Sequence, residues 1–388
     1  MTGRLPLVPI DPTPGNCAAR FLVASVRRFL DPDAPAPNLA TIDDVSELRR
    51  LAAAHSVVPI VCRALESLDG SSALREALQP DLEEDLSASL LLSAELCKVT
   101  DLLNQHEITF VSLKGPLLSQ RLYNDIAVRA PGDLDLLLEQ RDVLRVRDLL
   151  IGAGYRVGSP LPWSDDSACF KSRESEITMA DDARALAVDL HWRPVPGYFA
   201  SAFDRISIRD SIVSTPLSGR MIPDLAPAPL LLFLCAHAAK HGFERLGWIC
   251  DIATCLRRCE FDWKTILSLT RASASTRQLL VGLGLAAKLL GAPLPSGLPE
   301  DPAVNPLVEA VNVRLLSGNS PPITANELVP FCLRIFETQR QRLRYLRGHL
   351  SPSAAEYQAL RLPPGLHFLY YLFRPLRLAA KAAGIGRA

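Results

Sequence analysis

The strongest constraint on the fold of this chain is a block of short β-strand patterns between two long helical regions. These runs are short and rich in β-branched residues and leucine, as buried strands are. Helical patterns at Gly115 to Tyr123 and Gln140 to Ala153 lie between them. The sequence therefore predicts an α/β (α+β) fold with a mixed sheet between about 108 and 215. The strand-like runs are ITFVSL (108–113), DLDLLL (133–138), YRV (155–157), CFKS (169–172), ITMA (177–180) and ALAVDLHW (185–192).

Helical spacing of apolar residues dominates the rest of the chain. It begins near Cys17, includes one longer helix at 81–105, and returns from Pro227 onward. Glycine and proline between 291 and 306 interrupt it, as they do in linkers. We expect four regions: an N-terminal helical region at 1–106, a core with the mixed sheet at 107–222, a helical domain at 223–292 and a C-terminal helical region at 293–388.

The composition argues against several classes of protein. A hydrophobic content of 48% with 22% charged residues is typical of a globular chain and not of a disordered one. Lysine plus arginine and aspartate plus glutamate both count 42, so we expect no long nucleic acid as a partner. No apolar run predicts a spanning helix, and the N-terminal prolines argue against a signal peptide. The nine scattered cysteines favour reduced thiols in a cytoplasmic protein.

Two aspartates, Asp133 and Asp135, lie two residues apart in DLDLLL. On a strand this spacing directs both side chains to one face, while Leu134 and Leu136 face a core. Two close carboxylates repel each other unless a cation lies between them, and such oxygen ligands suit Mg²⁺ or Mn²⁺. Bound ions of this kind can activate an attacking hydroxyl and hold a triphosphate for in-line displacement. The alternative is that both aspartates face water on an edge strand.

Four other residues could complete such a site. SLKG (112–115) is a strand that runs into a glycine at the start of a helix, so the helix N-terminus and Lys114 could meet an anion. Arg129 offers a guanidinium to a phosphate. Asp189 lies in the apolar run VDLHW and needs a partner, either a shared metal or an arginine in a buried salt bridge. His191 shares its face, where it could polarise Asp189 or contact a substrate.

The ordered set of these motifs resembles the bacterial uncharacterised nucleotidyltransferase family, which belongs to the polymerase-beta-like nucleotidyltransferase superfamily. The match covers roughly residues 85 to 260, and the whole set is far more specific than any single motif. The matching elements are Leu113-Lys114-Gly115, Leu118, Leu122-Tyr123, Arg129, Asp133-Leu134-Asp135, Gly154-Tyr155, Asp189-Leu190-His191-Trp192, and downstream HAAKH (237–241), Leu246, Trp248 and Asp251.

The resemblance implies a polymerase-beta-like nucleotidyltransferase core at 107–222, with the helical domain at 223–292 completing the active-site cleft. It implies transfer of a nucleoside monophosphate from a nucleoside triphosphate, with ATP as the first candidate, to a hydroxyl of a small molecule or protein, with release of pyrophosphate. The catalytic residues implied as ligands of Mg²⁺ or Mn²⁺ are Asp133, Asp135 and Asp189. The nucleotide contacts implied are Lys114, Gly115, Arg129, Lys240 and His241.

Two departures from the superfamily pattern bear on an alternative function. The superfamily usually has Gly-Gly or Gly-Ser at the phosphate turn, whereas this chain has Lys114-Gly115-Pro116. Pro116 offers neither a hydroxyl nor an N–H to a phosphate. The gap from Gly115 to Asp133 is also longer than the superfamily norm. The alternative is a non-catalytic scaffold or nucleotide-binding protein with the nucleotidyltransferase fold.

Two histidines suggest a second alternative. His237 and His241 lie four residues apart on one helical face, a spacing that can hold a metal. A zinc hydrolase could use them with Asp251, although no glutamate follows His237 as it does in metalloproteases. Nearby, Cys255 and Cys259 fit core thiols better than metal ligands.

The C-terminal stretch from Leu366 is amphipathic and rich in aromatic residues. It carries Arg374, Arg377, Lys381 and Arg387 but no acid. Such a helix can make peripheral contact with a membrane surface, but more often it packs on its own domain or on a partner protein.

Overall fold

The computed structural model describes residues 16–130, 132–158, 175–318, 321–353, 356, 360 and 362–382. Within these ranges α-helices surround one five-stranded sheet and a two-stranded hairpin. The helices are α1 (Cys17–Leu30), α2 (Val45–Ala54), α3 (Val58–Glu66), α4 (Ser72–Gln105), α5 (Gly115–Tyr123), α6 (Val143–Gly152), α7 (Pro227–Lys240), α8 (Leu246–Arg258), α9 (Trp263–Ala272), α10 (Thr276–Leu290), α11 (Val304–Leu316), α12 (Ala325–Ile335), α13 (Gln339–Leu350) and α14 (Tyr370–Ala382). The strands are β1 (Phe110–Ser112), β2 (Leu134–Leu138), β3 (Arg156–Val157), β4 (Glu176–Asp181), β5 (Leu186–His191), β6 (Ile212–Leu217) and β7 (Arg220–Leu225).

The five-stranded sheet is mixed, as the strand patterns predict. Its order is β1-β2-β5-β4-β3. β2 and β5 run parallel, and the other neighbouring pairs are antiparallel. The expected strand at CFKS lies outside the described residues. The fold class is therefore confirmed: a mixed sheet with helices before and after it in the chain.

The hairpin of β6 and β7 was not expected from the sequence. Pro216 and Pro223 interrupt its pattern, but a two-stranded ribbon has free edges, where proline is tolerated. Ser218 and Gly219 both have positive φ, as the tight turns that join twisted strands require. Strand structure thus extends to Leu225, past the end of the predicted core at 222.

The register of the sheet brings four polar residues together. β2 pairs with β5 so that Asp135 lies directly opposite Asp189. β4 pairs with β5 so that Glu176 lies opposite His191. Because side chains alternate along a strand and directly paired residues share a face, all four belong to one face of the sheet.

Two hydrophobic clusters hold the fold together. In the first, the sheet packs against α6 and the second half of α4. In the second, α1 to α3 join α7, α8, α10 and α11, so the N-terminal helices are part of one core with the later helices. Each fully buried large aliphatic side chain contributes about 1.5–3 kcal/mol. Representative members are Leu96, Phe110, Leu136, Val146 and Leu190 in the first cluster, and Leu22, Leu51, Phe233, Ile252 and Leu283 in the second.

The helical regions follow the predicted pattern with local differences. α4 begins at Ser72, before the predicted start at 81, and contains Pro80. α9 was not expected as a separate helix. The boundaries of the four predicted regions stay a prediction. In the described part of the chain, no helix combines the length and the apolar character that crossing a membrane requires.

The C-terminal helix α14 pairs part of its positive charge within the chain. Arg374 is buried and bound to Glu356, and Arg377 lies 3.3 Å from the same carboxylate. Its neighbours Tyr371, Leu372 and Leu376 are exposed. Arg387 lies outside the described residues. Contact of this tail with a membrane stays a prediction.

Gly115 has a backbone conformation that favours glycine over other residues. It begins α5 with φ +71°, and a Cβ there would lie 3.4 Å from the carbonyl oxygen of Asp133. We expect Gly115→Ala to lower the free energy of unfolding by about 1–2 kcal/mol, because alanine disfavours the left-handed region. Gly152→Ala is the matched control, since that position has ordinary φ and open space. Urea unfolding of both variants measures the difference; equal stability of the two would contradict the argument.

Candidate active site

A cavity of about 470 Å³, here called the main cavity, lies between the polar face of the sheet and the α7–α8 region. Carboxylates line its sheet side, and basic and aromatic side chains line its helical side. Seven of the eight site residues predicted from the sequence line it. Those seven are Lys114, Arg129, Asp133, Asp135, Asp189, Lys240 and His241.

Asp135 is buried and bound by two basic side chains. His191 Nε2 lies 2.8 Å from Asp135 Oδ1, and Lys114 Nζ lies 3.0 Å from Oδ2. Burial alone would raise the pKa of Asp135, but Lys114 and His191 outweigh it and hold that pKa well below its usual range. Asp135 is therefore an anion at neutral pH. His191 bonds this acid and not Asp189, and its own pKa is raised because the bond to Asp135 outweighs its burial.

Asp133 and Asp189 lie in the same cavity and are destabilised as anions. Burial, followed by repulsion from Asp135, raises the pKa of Asp133 to about 6. Burial also raises the pKa of Asp189, although a hydrogen bond from Thr178 opposes it. Asp189 Oδ1 is buried, and none of the described groups donates a hydrogen bond to it. No arginine in the described ranges forms an ion pair with Asp189, so the alternative of a buried arginine bridge is not observed there.

The chemistry of these residues fits a bound divalent cation. Asp135, Asp189 and His191 each offer one ligand atom, and the three atoms lie within 4.8 Å of one another. Carboxylate oxygens suit Mg²⁺, and a set that includes an imidazole suits Mn²⁺ as well. The unbonded, buried oxygen of Asp189 would gain the partner that a buried charge needs. Asp133 lies on the same wall but outside this group, so its role as a ligand stays a prediction.

The helical side of the main cavity combines a cation with an aromatic cluster. Lys240 ends α7, and in the described part of the chain it forms no ion pair. The rings of His237 and His241 lie 5.0 Å and 5.2 Å from the ring of Trp248. Burial, followed by nearby cations, lowers the pKa of His241 to about 3 and that of His237 well below its usual range. Both histidines are therefore neutral, so an anion on this side of the cavity would meet cations such as Lys240.

Arg129 is held by the protein itself. Its Nε donates a hydrogen bond of 2.9 Å to Asp251 Oδ2, and the Tyr123 hydroxyl donates one of 2.9 Å to Oδ1. Asp251 is 1% exposed. This network explains why Asp251 is not available to a zinc ion with His237 and His241, and no described metal-compatible group contains those residues. The hydrolase alternative therefore has no support in the described residues.

Comparison with known protein families found a family whose description is consistent with the geometry of this cavity. The family model described as "Uncharacterised nucleotidyltransferase" matches residues 42–291, which is more than half of the chain. The chain belongs to this family. A search of curated proteins found no match, and a search of solved structures found none. Membership of the nucleotidyltransferase family makes the protein a transferase at a coarse level and implies a nucleoside triphosphate as substrate.

Two residues that the sequence did not predict line the main cavity of this nucleotidyltransferase, and one predicted residue does not line it; its role as a nucleotide contact stays a prediction. Gly115 is buried against Asp133 and does not line the main cavity. Glu176 lines it, with Oε2 lying 3.1 Å from His191 Nδ1. Alternation in EITM (176–179) could have identified Glu176, because Glu and Thr occupy one face of that strand. Arg245 also lines the main cavity, and its guanidinium lies 5.4 Å from the centre of the Trp248 ring. No motif or spacing in the sequence indicated this residue.

Metal binding by this nucleotidyltransferase should depend on the protonation of Asp133. A carboxyl group must lose its proton to bind a metal, so affinity should fall as the pH falls through the Asp133 pKa of about 6. Each pH unit below that value should weaken Mn²⁺ binding about tenfold if Asp133 is a ligand. Calorimetric titration at several pH values measures this. Asp133→Asn should bind more weakly with a flatter profile; an unchanged profile would exclude Asp133 as a ligand.

Proposed function

We propose that the protein is a metal-dependent nucleotidyltransferase that moves a nucleoside monophosphate from a triphosphate, ATP first, to a hydroxyl of an acceptor. The observation that carries this proposal is the meeting of Asp135, Asp189 and Lys240 in one cavity. The two acids face each other in register and fit a cation. Lys240, without an ion pair in the described ranges, is placed for a phosphate.

In the proposed reaction, the acceptor oxygen attacks the α-phosphorus of the nucleotide. A new oxygen–phosphorus bond forms, the bond to the oxygen that bridges the α- and β-phosphorus breaks, and pyrophosphate leaves. Asp189 would orient the acceptor hydroxyl and take its proton. Mg²⁺ or Mn²⁺, when bound, would supply positive charge at the phosphates and favour ionisation of the hydroxyl.

The other residues of the main cavity would bind and orient the nucleotide. Lys114 and Lys240, which both line the cavity, would bring positive charge to the phosphates. Arg129 is fixed by Asp251, so its remaining guanidinium nitrogens would be oriented without further cost. The aromatic cluster of His237, His241 and Trp248 offers flat surfaces to a nucleobase. From the composition, we also propose a cytoplasmic location and no long nucleic acid as a partner.

Transfer of label tests the proposal. The protein is incubated with each α-³²P-labelled nucleoside triphosphate, Mg²⁺ or Mn²⁺, and a cell extract. Wild type should transfer label to a component of the extract, and Asp135→Asn should not, because it loses the charge that holds the cation. Absence of transfer by wild type with every nucleotide, together with no nucleotide-induced stabilisation, would overturn the proposal.

One observation favours the non-catalytic alternative as a second candidate. Lys114 and His191 approach both oxygens of Asp135, so part of its charge is compensated without a metal. A scaffold of this kind would bind nucleotide weakly or not at all. Thermal unfolding with each triphosphate separates the two, because a ligand at about 100 times its Kd stabilises the native state by about 2.7 kcal/mol.

A further inference from the structure

A second cavity of about 240 Å³ adjoins the main cavity. Glu176, Lys240 and His241 line both, so the two cavities meet at these three side chains. The other walls of the second cavity come from the residue before β4, from the segment after β5, and from α12 and α13. Those walls are formed by Ser175, Pro196, Tyr198, Leu328, Tyr345 and His349.

Part of the second cavity is built by helices beyond the matched part of the chain. The family model ends at residue 291, whereas α12 and α13 begin at Ala325 and Gln339. The carboxylates and Lys240 lie within the matched residues. The nucleotide site therefore belongs to the common part of the family, and one wall of the second cavity is added by this chain's C-terminal helices.

The wall formed by α13 is firmly held. The Tyr345 ring is buried, with its centroid 5.4 Å from that of Phe336 and 6.2 Å from that of Tyr198. Gln341 Nε2 donates a hydrogen bond of 2.8 Å to the carbonyl of Ala274. Gly348 packs so closely on Tyr198 that a Cβ there would lie 2.2 Å from the Tyr198 Cβ. A wall fixed in this way binds a ligand without the cost of ordering loops.

We propose that the second cavity binds the acceptor, a small hydroxylated ring molecule of the cyclic polyol or sugar class. The inference rests on the proposed nucleotidyl transfer and names the substrate class of that reaction. A volume of about 240 Å³ is below the roughly 300–1,000 Å³ of sites for drug-sized ligands, so it suits a compact molecule. The main cavity, at about 470 Å³, has the size for a nucleotide.

The lining of the second cavity supports this class of acceptor. Tyr198 and Tyr345 offer ring surface against which a flat or puckered ring can lie. Ser175 and Glu176 offer polar atoms to hydroxyl groups. Lys240 and His241, at the boundary, would lie between the acceptor and the nucleotide. An acceptor hydroxyl directed toward this boundary would face the α-phosphorus, and attack would form the new ester bond as pyrophosphate leaves.

Filling the second cavity tests the inference without changing the metal site. Leu328→Trp adds an indole to its wall, and His349→Ala removes a ring from it. The matched control is Leu343→Trp on α13, because Leu343 is exposed and lines neither cavity. Each variant is compared with wild type for Mn²⁺-dependent binding of a non-hydrolysable ATP analogue and for transfer of label from α-³²P-ATP. The acceptor source is a filtrate of cell extract that holds only small molecules, with the retained macromolecules tested beside it.

We expect all four proteins to bind the analogue alike, with wild type and Leu343→Trp labelling the filtrate equally. Leu328→Trp should lower that labelling about tenfold or more, and His349→Ala should raise the filtrate concentration needed for half-maximal labelling. Undiminished labelling by Leu328→Trp, or label only on macromolecules, would overturn the inference. Analogue binding with no labelled product would also overturn it. Wild type that binds no nucleotide would instead refute the proposed function itself.

Discussion

Asp189→Asn should slow nucleotidyl transfer by about 10²–10³-fold and at the same time stabilise the metal-free protein. The side chain lies opposite Asp135 in the register, and its buried Oδ1 accepts no hydrogen bond from a described group. Losing one ligand of the cation should remove several kcal/mol from the transition state, which corresponds to about 10²–10³-fold in rate. Transfer of label at saturating nucleotide measures this loss.

The expected stabilisation follows from the raised pKa of Asp189. A carboxyl whose pKa is higher in the folded state than in the unfolded chain makes folding less favourable above its unfolded pKa. Asparagine removes that charge, so the free energy of unfolding without metal should rise at neutral pH. Added Mn²⁺ should stabilise wild type but not the variant.

Asp210→Asn is the matched control, because Asp210 is exposed and lines neither cavity. It should transfer label at the wild-type rate and unfold at the wild-type midpoint. An Asp189→Asn protein that is as active as this control would remove Asp189 from the mechanism. A destabilised but inactive Asp189→Asn protein would show that the acid holds the fold and not a cation.

Asp251→Ala should have the largest effect on stability. Arg129 Nε and the Tyr123 hydroxyl both donate to this carboxylate, which is buried. Removing it leaves a largely buried guanidinium and a hydroxyl without their partner, which typically costs about 3–5 kcal/mol. Urea unfolding monitored by tryptophan fluorescence measures the loss. Nucleotide binding should weaken too, because Arg129 lines the main cavity.

The exposed pair of Arg49 and Asp81 provides a control for charge removal. Arg49 Nε lies 2.6 Å from Asp81 Oδ2, with side-chain exposures of 46% and 22%. Asp81→Ala should therefore cost less than about 1 kcal/mol. If both variants lost the same stability, burial would not be the reason for the Asp251 effect. The double variant Arg129→Met/Asp251→Leu should recover part of the loss, because no buried charge remains unpaired.

Local pattern was sufficient to predict most of the strands and to select polar side chains that line one cavity. Side chains alternate along a strand, so DLDLLL fixed Asp133 and Asp135 on one face without knowledge of any partner. The pattern also predicted that a helix begins at Gly115, as α5 does. The ordered motifs then predicted the family, and seven predicted side chains line one cavity.

Local sequence pattern was not sufficient to predict which parts of a helix face are buried. Leu86, Leu90 and Leu91 belong to the apolar pattern of α4, yet each is at least 40% exposed, while Leu96 is fully buried. Periodicity gives the face of a helix but not how far a neighbouring element extends along it. In α4, only the second half packs against the sheet.

The sequence by itself determined the features that depend on short-range geometry. These are the strands, the main helices and the carboxylates that share one face of a strand. Only the tertiary structure decided which residues meet across the fold. It paired Arg129 with Asp251, 122 residues away, and bound His191 to Asp135. It also brought α12 and α13 to the wall of the second cavity. These choices depend on strand register and on burial between distant segments, which no local spacing encodes.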